Sequence, residues 1–415
     1  MNQNNLAPIQ QSQRTAIVDI LRGWALLGVV LMNYSDYCFL GIDWKTHKPD
    51  MFANILLGFG QVFFSAKSWT MLTVLFGYGF SILMTNVSAK GMNPNQFFIR
   101  RMFWLFVLAA INSAFFWGDI LKDYAFMGLI MLPFRKISAK KALYISLGVL
   151  IIVPAVVAGV NKLNHSNGMD MIKPFIPLFQ SHNPFKVLWF GLYGTVLYEF
   201  FNYGYLISVH VLMVSLFMFG MAVHKSGFLV NIHENKKAVK KIMWWSLGAT
   251  LALIAIVITS QELKLGWTNY YSPFYLIILS TMIFIASLLC FLYTRGVMKS
   301  FYNNMQVIGK MTLTNYITQN FLALFLFSGL GAGLIMEKRV HYGFYILFAL
   351  VIYIAQIYFS KWWLARYHYG PIEWVWRQLS YAKRFPIKKQ AEQETLVTNN
   401  AVALDLPFSE EPLSS

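Results

Sequence analysis

Residues 19–33 read DILRGWALLGVVLMN, an almost wholly apolar run with Asp19 and Arg22 near its start and Asn33 at its end. Taken as a helix from Ala16 to Tyr34, it is about 28 Å long, enough to cross the hydrocarbon of a bilayer. Asp19 and Arg22 are three apart and can pair on one face. At about 100° per residue, Asn33 returns to within about 20° of Arg22 and about 40° of Asp19. One side of this helix is therefore polar at both ends, with Leu26, Val29 and Val30 between. An ion pair there could simply bolt the helix to its neighbours. Intramembrane ions are costly, however, and more often mark a function.

The rest of the chain extends that reading. Of 415 residues, 57% are hydrophobic and only 12% are charged, about half the charged share of a soluble domain. The apolar residues fall in long runs separated by short basic stretches, which predicts an all-α, polytopic integral membrane protein. The 22 Tyr and 13 Trp suit aromatic belts at the two interfaces. Two cysteines, Cys38 and Cys290, imply no disulfide framework. The net charge of +17 is carried by alternate interhelical loops, which is the pattern of membrane orientation and excludes nucleic acid as partner. There is no P-loop, HExxH, CxxC pair or GxGxxG, so no metal or tightly bound cofactor is expected.

Counting runs gives about ten transmembrane helices. Loops after crossings two, four, six and eight, and the segment after ten, are basic, which places both termini in the cytoplasm. Residues 1–13 and 382–415 are polar and read as disordered cytoplasmic ends. Between them lie an N-terminal transmembrane region, 14–223, and a C-terminal one, 224–381. The first crossing is expected to end near Tyr34, leaving Asp36, Asp43, His47 and Asp50 in an outer loop. Met51–Phe64 is short and reads as interfacial or partly inserted. Residues 161–186 read as a sizeable external loop, and the basic loop after Val223 as holding a short amphipathic helix. No internal repeat is seen.

Several polar residues stand out in this apolar chain. Asn33, Asp36 and His47 fall at the outer end of the first helix, and Asp119 and Asp123, four apart, at a second outer turn. A histidine near a carboxylate is the minimum equipment for general-base work on a hydroxyl or amine. His210 lies mid-span and needs a partner; Glu199 can reach it only if the chain turns back at Asn202–Gly204. Thr312, Asn315, Tyr316 and Gln319 form one ridge, read as helix glue or as the lining of a pocket. In RYHYGPIEWVWRQLSY, Gly370 turns the chain and Pro371 opens a helix, with Glu373 expected to pair with Arg377. Arg366 and Arg377 could also meet a phosphate-bearing donor.

Six ordered motifs, DILRGWALLGVVLMN, AKSWTMLTVLFGYGFSI, FFWGDILKDYAFMGLIML, LFMFGMAVHKSGFL, IGKMTLTNYITQN and YGPIEWVWRQLSY, together resemble the bacterial YeiB-like membrane proteins of the DUF418 family. The similarity covers roughly Arg14 to Tyr381. The N-terminal D…RG…N pattern also resembles the transmembrane acyltransferase superfamily, which includes the heparan-alpha-glucosaminide N-acetyltransferases. Those enzymes move an acetyl group from cytoplasmic acetyl-CoA to a sugar amine on the far side of the membrane. That resemblance carries the Asp-Arg pair onto Asp19 and Arg22 and the helix-end amide onto Asn33. The histidine expected after that amide has His47 as its nearest counterpart, in a loop of different length and composition. Lys310 stands where relatives commonly carry arginine after Gly309, which keeps the charge but loses the bidentate fork.

The resulting expectation is a bacterial inner-membrane, multi-pass acyltransferase. Cytoplasmic acyl-CoA would enter as co-substrate near Asp19, Arg22, Lys310 and Arg377. A glycan, lipid or small-metabolite acceptor would meet His47 or His210 as base, with Asn33 at the acceptor or oxyanion. Asp119, Asp123, Asn315 and Gln319 would line a polar pocket. A transporter or exporter of a small metabolite and a non-catalytic scaffold are the alternatives, and the partner assignment leaves a homo-oligomer open.

Overall fold

A computed structural model describes residues 15–41, 49–163, 168–334 and 341–389; His47 and Asp43 lie outside them. Among the described residues the chain is helical apart from one isolated β-bridge between Tyr367 and Lys388. In order the α-helices are α1 (Ala16–Gly41), α2 (Met51–Phe63), α3 (Lys67–Ala89), α4 (Pro94–Ser113), α5 (Leu121–Met131) and α6 (Ala139–Leu163). Two short helices, α7 (Gly168–Ile172) and α8 (Ile176–Phe179), lead to α9 (Pro184–Phe200) and α10 (Tyr203–Lys225). There follow α11 (Lys236–Glu262), α12 (Phe274–Thr294), α13 (Lys299–Lys310), α14 (Thr312–Phe327), α15 (Tyr342–Arg366) and α16 (Pro371–Tyr381).

Among the described residues, seven helical stretches are long and apolar enough to cross a membrane: Ala16–Leu40, Met51–Ala89, Ala139–Lys162, Tyr203–Lys225, Lys236–Glu262, Phe274–Thr294 and Tyr342–Arg366. The protein is thus an all-α, multi-pass membrane protein. The helices at three further expected crossings, α4, α5 and α14, belong to the same bundle. They are shorter or more polar: α5 has 11 residues and α4 opens with PNQFFIRR. Bulky apolar side chains such as Trp245, Ile256 and Ile258 on α11 point outward, as a lipid-facing surface requires.

Two pairs of close crossings set the geometry. A Cβ on Gly77 of α3 would lie 2.3 Å from the Phe217 carbonyl oxygen, and one on Gly220 of α10 would lie 2.0 Å from that of Val74. The α1–α13 crossing is built the same way, with Gly23 against Met305 and Gly309 against Asp19, both at backbone distance. Without a hydrophobic force between helices in lipid, small residues that let backbones touch supply the packing energy.

These contacts sort the bundle into two ends. At one, Gly309 meets Asp19, Trp376 Nε1 donates to the Arg101 carbonyl, and Lys225 Nζ donates to the carbonyls of Arg135 and Ile137. This is the basic end. At the other, His341 Nε2 faces Asp50 Oδ1 at 3.0 Å, tying the start of α15 to the start of α2. Asp50 also caps α2, and the Ala53 N–H, followed by His341, holds its carboxyl below the usual carboxylate range.

Three expectations change. The first helix runs on to Gly41, so Asp36 is partly buried on α1 rather than in an aqueous loop; Tyr37 and Cys38 pack into the core and keep the helix going. After Val223, residues 226–235 form turns and the basic residues from Lys236 begin α11 itself. The described part of the expected external loop folds into α7 and α8, with Ile172 and Phe179 buried.

Met51–Phe63 and Lys67–Ala89 form one apolar stretch broken at Ala66, whose φ of 59° is left-handed. Lys67 is buried at the break, and its ammonium donates to the Gln61 carbonyl at 2.6 Å, serving a carbonyl that the helix end leaves open.

Gly220→Ala is expected to lower the thermal midpoint of the detergent-purified protein, at a cost of about 1–3 kcal/mol from overpacking. Gly248→Ala, where an added Cβ meets nothing within 4 Å, should leave the midpoint unchanged or raise it.

Candidate functional site

The polar stripe of α1 meets different partners at its two ends. Near the basic end, Asp19 Oδ1 accepts from Arg22 Nη1 at 3.2 Å, with Asp19 buried and Arg22 about 30% exposed. Gly79 of α3 leaves room for the guanidinium, which approaches its Cβ position to 3.4 Å. The charges of Arg22 and Arg377 both act on Arg101, whose guanidinium stacks 3.6 Å over the Trp376 ring. Arg377 lies over Tyr369 at 4.3 Å. Lys90 joins the group: partial burial, and after it the charge on Arg377, hold its ammonium below the ordinary value. Lys310 ends α13 one residue past the contact of Gly309 with Asp19.

Glu373 Oε1 accepts from the backbone N–H of Leu313 at 2.7 Å and of Thr314 at 3.0 Å, and Oε2 accepts from Thr314 Oγ1. α14 restarts after Met311, and its open N–H groups and positive helix end favour a carboxylate there.

Toward the other end, Asn33 Nδ2 donates to Asn320 Oδ1 at 3.1 Å, and Asn320 Nδ2 donates to Asn112 Oδ1 at 3.3 Å. Asn112 Nδ2 donates in turn to Asp119 Oδ1 at 2.7 Å, which also accepts from Tyr316 OH at 3.1 Å and from Leu121 N–H at 3.3 Å. Lys122 Nζ then bonds the Asp119 carbonyl and Glu199 Oε1, and lies 3.8 Å from Asp123 Oδ2. Asp123 Oδ1 faces His210 Nε2 at 3.3 Å. One hydrogen-bonded and ionic chain thus runs from α1 through α14, α4 and α5 to α9 and α10.

The local folds that place these groups are simple. Asp119 sits in the turn between α4 and α5, where its side chain bonds the Leu121 N–H. Phe201 and Asn202 turn the chain back between α9 and α10, and Asn202 caps α10 by accepting from Tyr205 N–H. Glu199 and His210 therefore converge on the same place, yet each takes its own partner, Lys122 and Asp123 respectively. One turn beyond Asn33, Tyr37 packs among Phe116, Trp117, Phe179 and Phe327, with ring centroids 4.7–5.8 Å apart. This aromatic cluster is dry.

The α14 ridge divides. Asn315 Nδ2 donates to Ser360 Oγ at 3.1 Å and Gln319 Nε2 to Gln356 Oε1 at 2.7 Å, so these two glue α14 to α15. Tyr316 and Asn320, on the neighbouring face, serve Asp119 and Asn33 instead. Two surface cavities, of about 430 and 500 Å³, lie between α11 and α12 and between α6 and the segment before α12, and the network lines neither. Asn112, Lys122 and Asn320 escaped sequence reading. Asn320 had a signal, lying one turn past Tyr316; Asn112 and Lys122 only show their value once α4 and α5 fold against each other.

Residues 223–383 match a family described as protein of unknown function, DUF418. Across 94% of this chain and the whole of the relative, the sequence is 26% identical to the uncharacterized protein YxaH of Bacillus subtilis. It is 28% identical to an uncharacterized 39.9 kDa protein in the amylase 3' region of Bacillus acidopullulyticus, over 93% of this chain and 99% of that one. The uncharacterized protein YeiB of Escherichia coli is 25% identical over 89% of this chain and 96% of its own length. The chain is thus similar over most of its length to YeiB-like proteins, with the DUF418 match in its C-terminal part. No solved structure matches it. The YeiB-like relatives span both halves of the chain, so the network, which joins α1 to α14, falls within the shared length.

Lys122→Met is expected to cost about 3–5 kcal/mol, because it leaves buried carboxylates without their cation. The double variant Lys122→Met/Glu199→Gln should recover part of that loss. Thermal unfolding in detergent of the wild type, Lys122→Met, Glu199→Gln and the double variant reads the coupling directly.

Proposed function

We propose that this protein is a bacterial inner-membrane acyltransferase, with ten crossings and both termini in the cytoplasm, that moves an acyl group from cytoplasmic acyl-CoA to an acceptor at the outer face. The observation that carries the reading is the arrangement along α1. One helix holds Arg22 beside Arg101, Arg377 and Lys90 at its basic end and joins Asn33 to an acid–imidazole network in its other half. The rise from Arg22 to Asn33 is about 16 Å, within the reach of an extended pantetheine arm.

In this reading the arginines bind the donor's phosphates, for which guanidinium forks are suited. Asp19 aligns Arg22. Asn33 offers an amide to the acceptor or to the oxyanion of the tetrahedral intermediate. His210, oriented by Asp123, or His47 takes the proton of the acceptor hydroxyl or amine and returns it to the departing thiolate. Asp119 holds Asn112 and Tyr316, and through Asn320 sets the angle of Asn33. The packed surroundings of Asn33 mean that helices must part to admit both substrates.

A carrier of a small metabolite is the second reading, and one observation favours it: His210, Lys122 and the carboxylates of Asp123 and Glu199 form an ionic cluster inside the bundle, as proton-linked carriers require. Purified protein with radiolabelled acyl-CoA and membrane extract separates the two. Acyl transfer predicts labelled product from the wild type, its loss in either His210→Ala or His47→Ala with the fold retained, and a donor-induced rise in thermal midpoint that Arg22→Ala reduces. A carrier predicts flux in proteoliposomes without any donor, and no labelled product.

A further inference from the structure

His210 is placed so that neither ring nitrogen meets a donor. Nδ1 lies 2.6 Å from the Leu206 carbonyl oxygen, which only accepts, so Nδ1 carries a hydrogen. Nε2 lies 3.3 Å from Asp123 Oδ1. A neutral ring would then turn the Nε2 lone pair toward an ionised carboxylate, which is repulsive. The contact becomes attractive once a proton lies between them, as imidazolium facing carboxylate.

The neighbouring charges ask for a second proton. Asp119, Asp123 and Glu199 bring three negative charges, while Lys122 and protonated His210 bring two positive ones. Asp119, Asp123 and Glu199 are only 0%, 4% and 2% exposed, so the remaining charge has almost no water to stabilise it. The Oδ2 atoms of Asp119 and Asp123 are buried without a hydrogen-bond partner among the described residues.

The carboxylates are not equivalent. Asp119 Oδ1 accepts three hydrogen bonds, which favour its ionised form, and Asp123 faces the imidazolium. Glu199 accepts a single bond, from a Lys122 ammonium that it shares with Asp123 and the Asp119 carbonyl, and with the fewest donors it is the group left to take the extra proton. The other titratable groups around the cluster are Tyr124 on α5, Tyr198 on α9, Tyr205 on α10, Tyr316 on α14, Tyr275 on α12 and Asp36 on α1. Apart from Asp36, which acts on Tyr198, they are phenols, and none supplies a further cation.

We propose that Asp119, Lys122, Asp123, Glu199 and His210 form a proton-binding site that holds one proton between His210 and Asp123 and a second, exchangeable one on Glu199. The site does not depend on the acyl-transfer reading, since it follows from the charges and contacts alone; a ring resting as imidazolium cannot take the acceptor's proton, so of the two histidines in that reading it leaves His47 as the base. Its consequence is mechanical. Bound, the exchangeable proton leaves the cluster neutral and α5, α9 and α10 drawn together; released, it sets Glu199 of α9 against Asp123 of α5. His210, with 18% of its side chain exposed, is the most open member of the cluster.

The test is spectroscopic and needs no substrate. In nanodiscs, ¹⁵N-histidine NMR, with His210 assigned by its loss in His210→Gln, should show both His210 nitrogens protonated at neutral pH; a neutral ring overturns the proposal. In Asp123→Asn the ring should become neutral, and a ring still doubly protonated would remove Asp123 from the site. Difference infrared spectra between neutral and alkaline pH should show the carbonyl stretch of a protonated carboxyl that disappears on alkalinisation. Glu199→Gln should abolish that band and Asp119→Asn should keep it. Absence of the band in wild type, or its survival in Glu199→Gln, contradicts the exchangeable proton. Because no acyl donor is used, failure here leaves the acyltransfer assay unaffected, and failure there leaves these spectra unaffected.

Discussion

Inside a bilayer a polar side chain has no water to fall back on, and the bundle is organised around that constraint. Asn33, Asn320, Asn112 and Asp119 come from α1, α14, α4 and the α4–α5 turn, and each satisfies the next. Moving any of these helices by an ångström or two would leave an amide or carboxylate unpaired in a low-dielectric interior, at a cost of about 1–3 kcal/mol for a neutral group and more for a charged one. The network is therefore a positional device whether or not it does chemistry. Its ionic end, where Lys122 serves Glu199, Asp119 and Asp123, is the part whose disruption would be felt most.

The glycine crossings and the polar network do complementary work. Gly23 and Gly309 bring α1 and α13 to backbone contact at the very residue, Asp19, that orients Arg22. Gly77 and Gly220 hold α3 on α10, and α10 carries His210. Close packing thus fixes the helices that bear these polar side chains, while hydrogen bonding fixes the side chains themselves. Glu373 adds a third kind of constraint by capping α14, so that α16, outside the long crossings, sets the register of the helix bearing Tyr316 and Asn320.

Much of this was legible in the amino-acid order, and what was not has a physical cause. The Asp19–Arg22 pair, the helix opened by Pro371 and the membrane class all follow from local spacing, which a single chain displays. The end of α1 was misplaced because Asp36 looks like a loop residue; its neighbours Tyr37 and Cys38 are buried by partners from other helices, which local sequence does not show. Glu373 also caps the distant start of α14, a role that local spacing does not display. His210 and Glu199 were correctly singled out as polar residues in apolar surroundings. Their partners, Asp123 and Lys122, lie 77 and more residues away in sequence from them, and no spacing rule reaches that far.

In the proposed acyl transfer the two ends of α1 serve one reaction, with a phosphate-bearing donor at Arg22 and its reactive end toward Asn33. Cryo-electron microscopy of the protein in nanodiscs with a non-transferable acyl-CoA analogue puts this to the test. The expected result is density for the diphosphate among Arg22, Arg101 and Arg377, with the pantetheine arm following α1 toward Asn33. Saturating analogue with no density there, or density seated elsewhere on the protein, would overturn the proposal.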